Sequence, residues 1–226
     1  MKSFWFTFIA LVVFCLFMQF ENNLSGSSKR NNYTGEFLIP GTIKNNIQSG
    51  DIILRNGKGF ISDVFRQFSL KDKSYSHAGI ISVEQDKIFV YHIIGGENRM
   101  AEVRGQKPED EIMNGELLRK ELLEAFCNSK ENNAYAIYRY DLSKKAKENI
   151  ITNLHSMYGK KIVFDSHFDL ATDTALYCSE LVYKAVTAAA ADKNYIPLTI
   201  INGNKYIAPD NLYLNPHAAL IYSYTY

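Results

Sequence analysis

Two runs rich in isoleucine and valine, His77 to Val83 and Lys87 to Ile94, are separated only by Glu84-Gln85-Asp86. A connection this short joins antiparallel strands, because parallel neighbours need a crossover of a dozen residues or more. The chain is therefore expected to build a local antiparallel sheet around this hairpin. A turn centred on Gln85 sets symmetric positions opposite one another, so His77 faces a position close to His92. Cross-strand partners lie about 5 Å apart, and the two imidazoles are expected to be adjacent on one face.

The remaining elements follow from period and punctuation. Ser49-Gly50-Asp51 leads into a short strand, Ile52-Ile53-Leu54. Phe60, Ile61, Val64, Phe65 and Phe68 recur at helical spacing as far as Ser69. Gly95-Gly96 closes the hairpin, and a polar stretch from Glu97 to Glu116 reads as an exposed excursion. The pattern Leu117, Leu118, Leu122, Leu123, Phe126 predicts a helix over about 115–128, followed by a strand over Tyr135–Tyr140. Ser143 is the expected N-cap of a helix running to Tyr158, where Gly159 stops it. From about Thr174 the chain is helical again, with Leu181, Val182, Ala185, Val186 and Ala189 inward, and Ala218 to Tyr226 alternates as a last strand. No repeat interrupts this order. With 226 residues, 46% of them hydrophobic and 22% charged, the chain suits one compact α+β domain of about 200 residues.

The N-terminus stands apart from that domain. Phe4 to Met18 is apolar except for Thr7, and a polar run from Glu21 to Arg30 follows. A stretch of about 15 residues suits a signal-peptide core better than a full span, which takes about 20. Residues 1–20 are read as a signal peptide or N-terminal anchor, 21–48 as a linker and entry segment, and 49–226 as the folded domain. The protein is expected to be exported, in a periplasmic, extracellular or membrane-anchored location, with residues 4–18 as the means of any membrane attachment. Phe14 stands before Cys15 where a lipoprotein cysteine needs a small residue, so Cys15 reads as a passive apolar residue. A net charge of +1 gives no electrostatic case for nucleic acid.

The chemistry-bearing residues are few. Cys178, in Tyr177-Cys178-Ser179-Glu180-Leu181, opens a helix. There backbone N–H groups and the positive end of the dipole favour a thiolate, and the same amides can bind a developing oxyanion. His77 starts a strand after a loop, where its ring can reach that helix, and His92 on the paired strand can orient it. A nucleophile, a base and an orienting group are what thiol catalysis requires. Cys127 ends an apolar pattern and reads as buried filler, and His155 and His217 lack such company. Asp165, His167, Asp169 and Asp173 have the composition of metal ligands but match no ligand spacing. They read as a polar loop near the pocket, and neither metal nor cofactor is expected.

At these residues the chain resembles the circularly permuted papain-like hydrolases of the NlpC superfamily, in their YiiX-like branch. The resemblance rests on Ser49-Gly50-Asp51-Ile52-Ile53, Ser76-His77-Ala78-Gly79-Ile80, Tyr177-Cys178-Ser179-Glu180-Leu181-Val182 and Ile207-Ala208-Pro209-Asp210-Asn211-Leu212. Its specific part is the order, histidine before cysteine. It implies an antiparallel sheet or small barrel packed with helices, Cys178 as nucleophile, His77 as general base and His92 as orienting residue. Many such relatives carry glutamate in the third role; Glu97 is the fallback here, and Glu180 is expected to point along the helix surface or to cap it. The implied activity is cleavage of an amide, in cell-wall-type peptides, through a thioester, with the Cys178 N–H as one oxyanion donor and Tyr75 or Tyr158 as candidates for the second. The same fold also permits a lipid acyl hydrolase or acyltransferase, or a non-catalytic binding module, so the expected partner is a small peptide, a muropeptide or a lipid.

Overall fold

The structure is a computed structural model that describes residues 39–94, 118–160, 162–165 and 167–226. Residues 1–20, read above as a signal peptide or anchor, most of the entry segment and the stretch holding Glu97 lie outside the described residues. In chain order the elements are α1 (Gly41–Lys44), β1 (Ile52–Gly57), α2 (Phe60–Arg66), β2 (His77–Glu84), β3 (Lys87–Ile93) and β4 (Leu118–Leu122). There follow α3 (Leu123–Phe126), β5 (Asn132–Tyr140), α4 (Lys144–Tyr158), β6 (Val163–Phe164), β7 (Ala175–Leu176) and α5 (Cys178–Ala190). The chain ends with β8 (Thr199–Ile201), β9 (Asn204–Tyr206), α6 (Pro209–Tyr213) and β10 (Ala218–Thr225).

Six strands form one antiparallel sheet in the order β10-β5-β1-β2-β3-β4. Alternation along each strand divides its side chains between two apolar layers. Ile52, Leu54, Ala78, Ile80, Tyr91 and Ile93 meet Ile150 and Leu154 of α4 and Leu181, Val182 and Val186 of α5. The opposite face sends Ile53, Ile81 and Val90 against Leu123, Phe126, Cys127, Tyr135 and Ile137. The hairpin is as expected, with Gln85 in the left-handed region (φ 54°) at its turn. Its register is set by Ile80 opposite Tyr91, one step from the symmetric guess.

The helix expected over 115–128 is instead β4 followed by the single turn α3. A helix and an edge strand compete for the same leucines, and pairing decides: β4 hydrogen-bonds along β3 from Phe89/Leu122 to Ile93/Leu118. Leu118, Leu123 and Phe126 are buried in either case. The α4 helix is as read, with the Ser143 hydroxyl accepting the Ala146 N–H at 3.2 Å.

Two motifs prove to be braces for this frame. Asp51, fully buried, accepts from Nε and Nη2 of Arg139 at 2.7 and 2.8 Å and from the Gln48 N–H at 2.8 Å, fixing the start of β1 to β5. Asp210, also buried, accepts the Lys71 N–H at 2.8 Å, while Tyr206 and Tyr213 donate to the carbonyls of Phe68 and Asp72. The loop that delivers His77 is therefore held from the C-terminal part of the chain.

Candidate active site

Cys178 is the first residue of α5, preceded by Tyr177 in extended conformation. Glu180 caps this start, accepting the Tyr177 N–H at 3.3 Å and lying 3.0 Å from Nζ of Lys184. Burial pushes the Glu180 carboxyl up to about 7, against the pull of Lys184. The Tyr177 hydroxyl accepts the Ile207 N–H at 2.8 Å, tying the helix start to the segment before α6. Cys178 is buried, with 5% of the residue exposed. Burial raises its pKa, opposed by the Ala78 N–H on its sulfur, by Ser179, whose Oγ is 3.8 Å away, and by the field of Arg55.

His77 and Cys178 line one cavity of about 100 Å³, together with Arg55, Ser76, Phe65 and Phe164. On the sheet, His77 bonds to His92: Nε2 of the first is 2.9 Å from Nδ1 of the second, with the rings nearly perpendicular. Extending the β2–β3 register one step places His92 opposite Gly79, two residues from His77 on the same face. A methyl at Gly79 would sit 2.5 Å from Cγ1 of Val90 and 3.2 Å from Cβ of His92. The missing side chain is what lets two imidazoles meet on the diagonal.

The row continues. Nε2 of His92 is 2.9 Å from Oε1 of Glu121 on β4. A carboxylate thus reaches the row from the next strand, on a residue that the helical reading of 115–128 concealed; Glu97 lies outside the described residues. On the other side, β1 sets Arg55 directly opposite His77. Arg55, His77, His92 and Glu121 cross four neighbouring strands on one face. Phe126 floors the row, with the Arg55 guanidinium 4.5 Å from its centroid and the His77 and His92 rings at 5.7 and 5.1 Å.

Protonation follows from this arrangement. Burial holds His77 well below the usual imidazole value, with Arg55, His92 and Arg119 adding to the effect. Burial also lowers His92, while its contact with Glu121 works the other way. Glu121 stays below the ordinary carboxylate value because His92 and the nearby arginines outweigh its own burial. With Glu121 ionised, the His92 proton belongs on Nε2, leaving Nδ1 to accept from Nε2–H of His77. That assignment frees Nδ1 of His77 as the basic nitrogen. The resting pair is a neutral imidazole and a thiol.

Other candidate residues lie elsewhere. Cys127 is a free thiol inside the second apolar layer, and burial raises its pKa well above the ordinary value. His155 contacts Glu84 on the surface of α4, and His217 stacks on Tyr195. Tyr75 packs on Tyr213 and Tyr158 on Tyr91, and neither lines the cavity of Cys178. Asp165 caps its own loop through the N–H groups of His167 and Asp169. A larger open hollow of about 750 Å³ runs along α4 past Lys147, Glu148 and His155, away from Cys178 and His77.

Residues 46–212 match the family model of permuted papain-like amidases, YaeF/YiiX, the C92 peptidase family. The chain belongs to this family. It is accordingly a cysteine hydrolase of the amidase type. Among solved structures it is similar to the metalloprotein yiiX of Escherichia coli O157:H7, at 17% identity with a TM-score of 0.58, over 79% of this chain and 98% of that one. That likeness supports the permuted papain-like fold. Among the described residues here, no three His, Cys, Asp or Glu side chains converge as a metal-binding set. Comparison with curated proteins gave no match.

Proposed function

We propose that the protein is an exported cysteine amidase that cleaves an amide bond in cell-wall-type peptides through Cys178, His77 and His92, with Glu121 as the outer member. The observation that carries this reading is the two-step row His77–His92–Glu121, which commits one nitrogen of His77 and leaves the other for a cysteine in the same cavity. Nδ1 of His77 takes the thiol proton as Sγ attacks the carbonyl carbon. The Cys178 N–H, free at the first position of its helix, faces the developing oxyanion. The imidazolium then protonates the leaving amine, and a thioester remains on Cys178. Water, deprotonated by the same nitrogen, resolves it to the acid. Through each transfer the positive charge on His77 is spread toward His92 and balanced by Glu121.

A second reading keeps the chemistry and changes the substrate. Cys178 also borders an aromatic wall of Phe65, Phe68, Phe168, Tyr177 and Tyr206; the space beside it is only about 10 Å³, so an acyl chain would enter by moving these rings. Incubation with muropeptides and with phospholipids separates the two: a new free amine supports the amidase, and released fatty acid supports the lipid hydrolase. Neither product, with Cys178 no more reactive than Cys127 toward a thiol probe, would sink both. Export rests on the apolar stretch Phe4 to Met18. Cell fractionation and the mature N-terminal sequence test it, and a cytosolic protein that keeps Met1 would refute it.

A further inference from the structure

Arg55 is the one member of the four-strand row with no role in proton transfer, and its setting is unusual for a cation. Its Nη1 donates to the Phe126 carbonyl at 3.1 Å, and its plane lies over the Phe126 ring. Among the described residues no carboxylate stands within ion-pair distance of it; Glu121 and Glu131 act on it only from farther away. Burial lowers its pKa, the mark of a cation short of a counter-ion. A guanidinium has five N–H donors in a fixed fork, and here the neutral carbonyl of Phe126 takes one. The remaining edge belongs to a residue that lines the cavity of Cys178 and His77.

We infer that Arg55 is a specificity residue that binds a carboxylate of the substrate, so that the preferred amides carry a free acid group close to the scissile bond. The inference deepens the amidase reading and rests on it for the word substrate. The anion site itself stands on geometry alone. The Phe126 carbonyl and ring fix the guanidinium plane before any ligand arrives, so little ordering is lost when a carboxylate docks. A planar fork meeting a planar acid gives the bidentate pairing for which arginine is suited and lysine is not. A cavity of about 100 Å³ admits a short acid arm and excludes a bulky one.

The test compares two reagents of nearly equal size, iodoacetate and iodoacetamide, each forming a thioether at Cys178 with loss of iodide and followed by peptide mass spectrometry. Iodoacetate is expected to react at least about tenfold faster at Cys178, the rate equivalent of one charge-assisted hydrogen bond, and with saturation. Arg55→Gln should abolish that preference and Arg55→Lys should keep only part of it. The ratio of the two rates is read, because it cancels any change in thiolate fraction. Equal ratios in wild type and Arg55→Gln would overturn the inference, and if both rates fell together Arg55 would be a support of the thiolate. If Arg55→Gln does not fold, the wild-type protein decides: succinate or glutarate should slow iodoacetamide at Cys178, and succinamide or glutaramide should not. Equal effects of acid and amide would again refute the site. Turnover of amides is scored separately. A retained preference for iodoacetate without hydrolysis of any amide would sink the amidase reading and leave the anion site standing.

Discussion

Two charges stand four residues apart at β1, Asp51 just ahead of the strand and Arg55 within it, and they are treated in opposite ways. Asp51 meets Arg139 in a two-point ion pair and takes a backbone N–H as well. Arg55 meets only a carbonyl and an aromatic face, beside two histidines held neutral by burial. The first assembly is closed, each charge answered within the protein, and serves as a brace. The second is open, with a base, a thiol and a cation facing one small cavity. A buried charge that the fold answers is structure, and one that it leaves unanswered is available for chemistry.

Breaking each assembly should give different losses. The largest belongs to the open one: Cys178→Ala should reduce amide turnover by about four orders of magnitude or more with an unchanged melting curve, whereas Cys127→Ala should melt earlier and still turn over. Equal turnover by both variants would remove Cys178 from the mechanism. Next is the closed assembly: Asp51→Ala leaves Arg139 without its partner and should cost about 3–5 kcal/mol in urea unfolding, while the protein that remains folded keeps its kcat. Loss of kcat without loss of stability would make Asp51 part of the site.

Smaller effects sharpen the contrast. Glu121→Gln removes the charge at the end of the row and should lower kcat/KM by about 1.5–3 kcal/mol, roughly ten- to a hundredfold. Glu97→Gln should do nothing comparable. The acid limb of the kcat/KM profile should fall below pH 6.5, because His77 must be unprotonated to act and its folded value is depressed. A limb at or above the ordinary imidazole value would contradict the neutral resting pair. The smallest effect concerns Glu180, whose pKa is raised from 4.5 to about 7. Its folded form holds a proton that the unfolded chain releases, so that contribution is full below pH 4.5 and is lost as pH rises through 7. Glu180→Gln should therefore gain stability relative to wild type at pH 8 compared with pH 4, read from paired denaturation curves.

What could be read from the sequence depended on whether periodicity was decisive. The hairpin and its two histidines were legible because a two-residue alternation around a polar turn has one antiparallel solution. Cys178 was legible because the apolar stripe behind it is helical and Tyr177 is not part of it. Glu121 was not, since Leu118, Leu122, Leu123 and Phe126 satisfy a helix as well as a strand followed by a turn, and only pairing with β3 chooses between them. The signal that could have found it was chemical: a third member that is histidine needs a carboxylate of its own, and the next strand is where to search. Arg55 gave no linear signal. It matters because β1 lies beside β2 in the sheet, with Arg55 opposite His77, a neighbourhood that local patterning does not encode.

The histidine-first order also has a consequence in time. A ribosome adding about 5–20 residues per second completes β1 to β4, and with them the whole row from Arg55 to Glu121, several seconds before it reaches Cys178. The nucleophile comes late, and the segment that fastens its helix, Ile207 to Leu212, comes later still. A nascent chain thus carries its base and its anion-binding cation without a thiol for them to serve. A product arrested before residue 178 therefore lacks the nucleophile altogether.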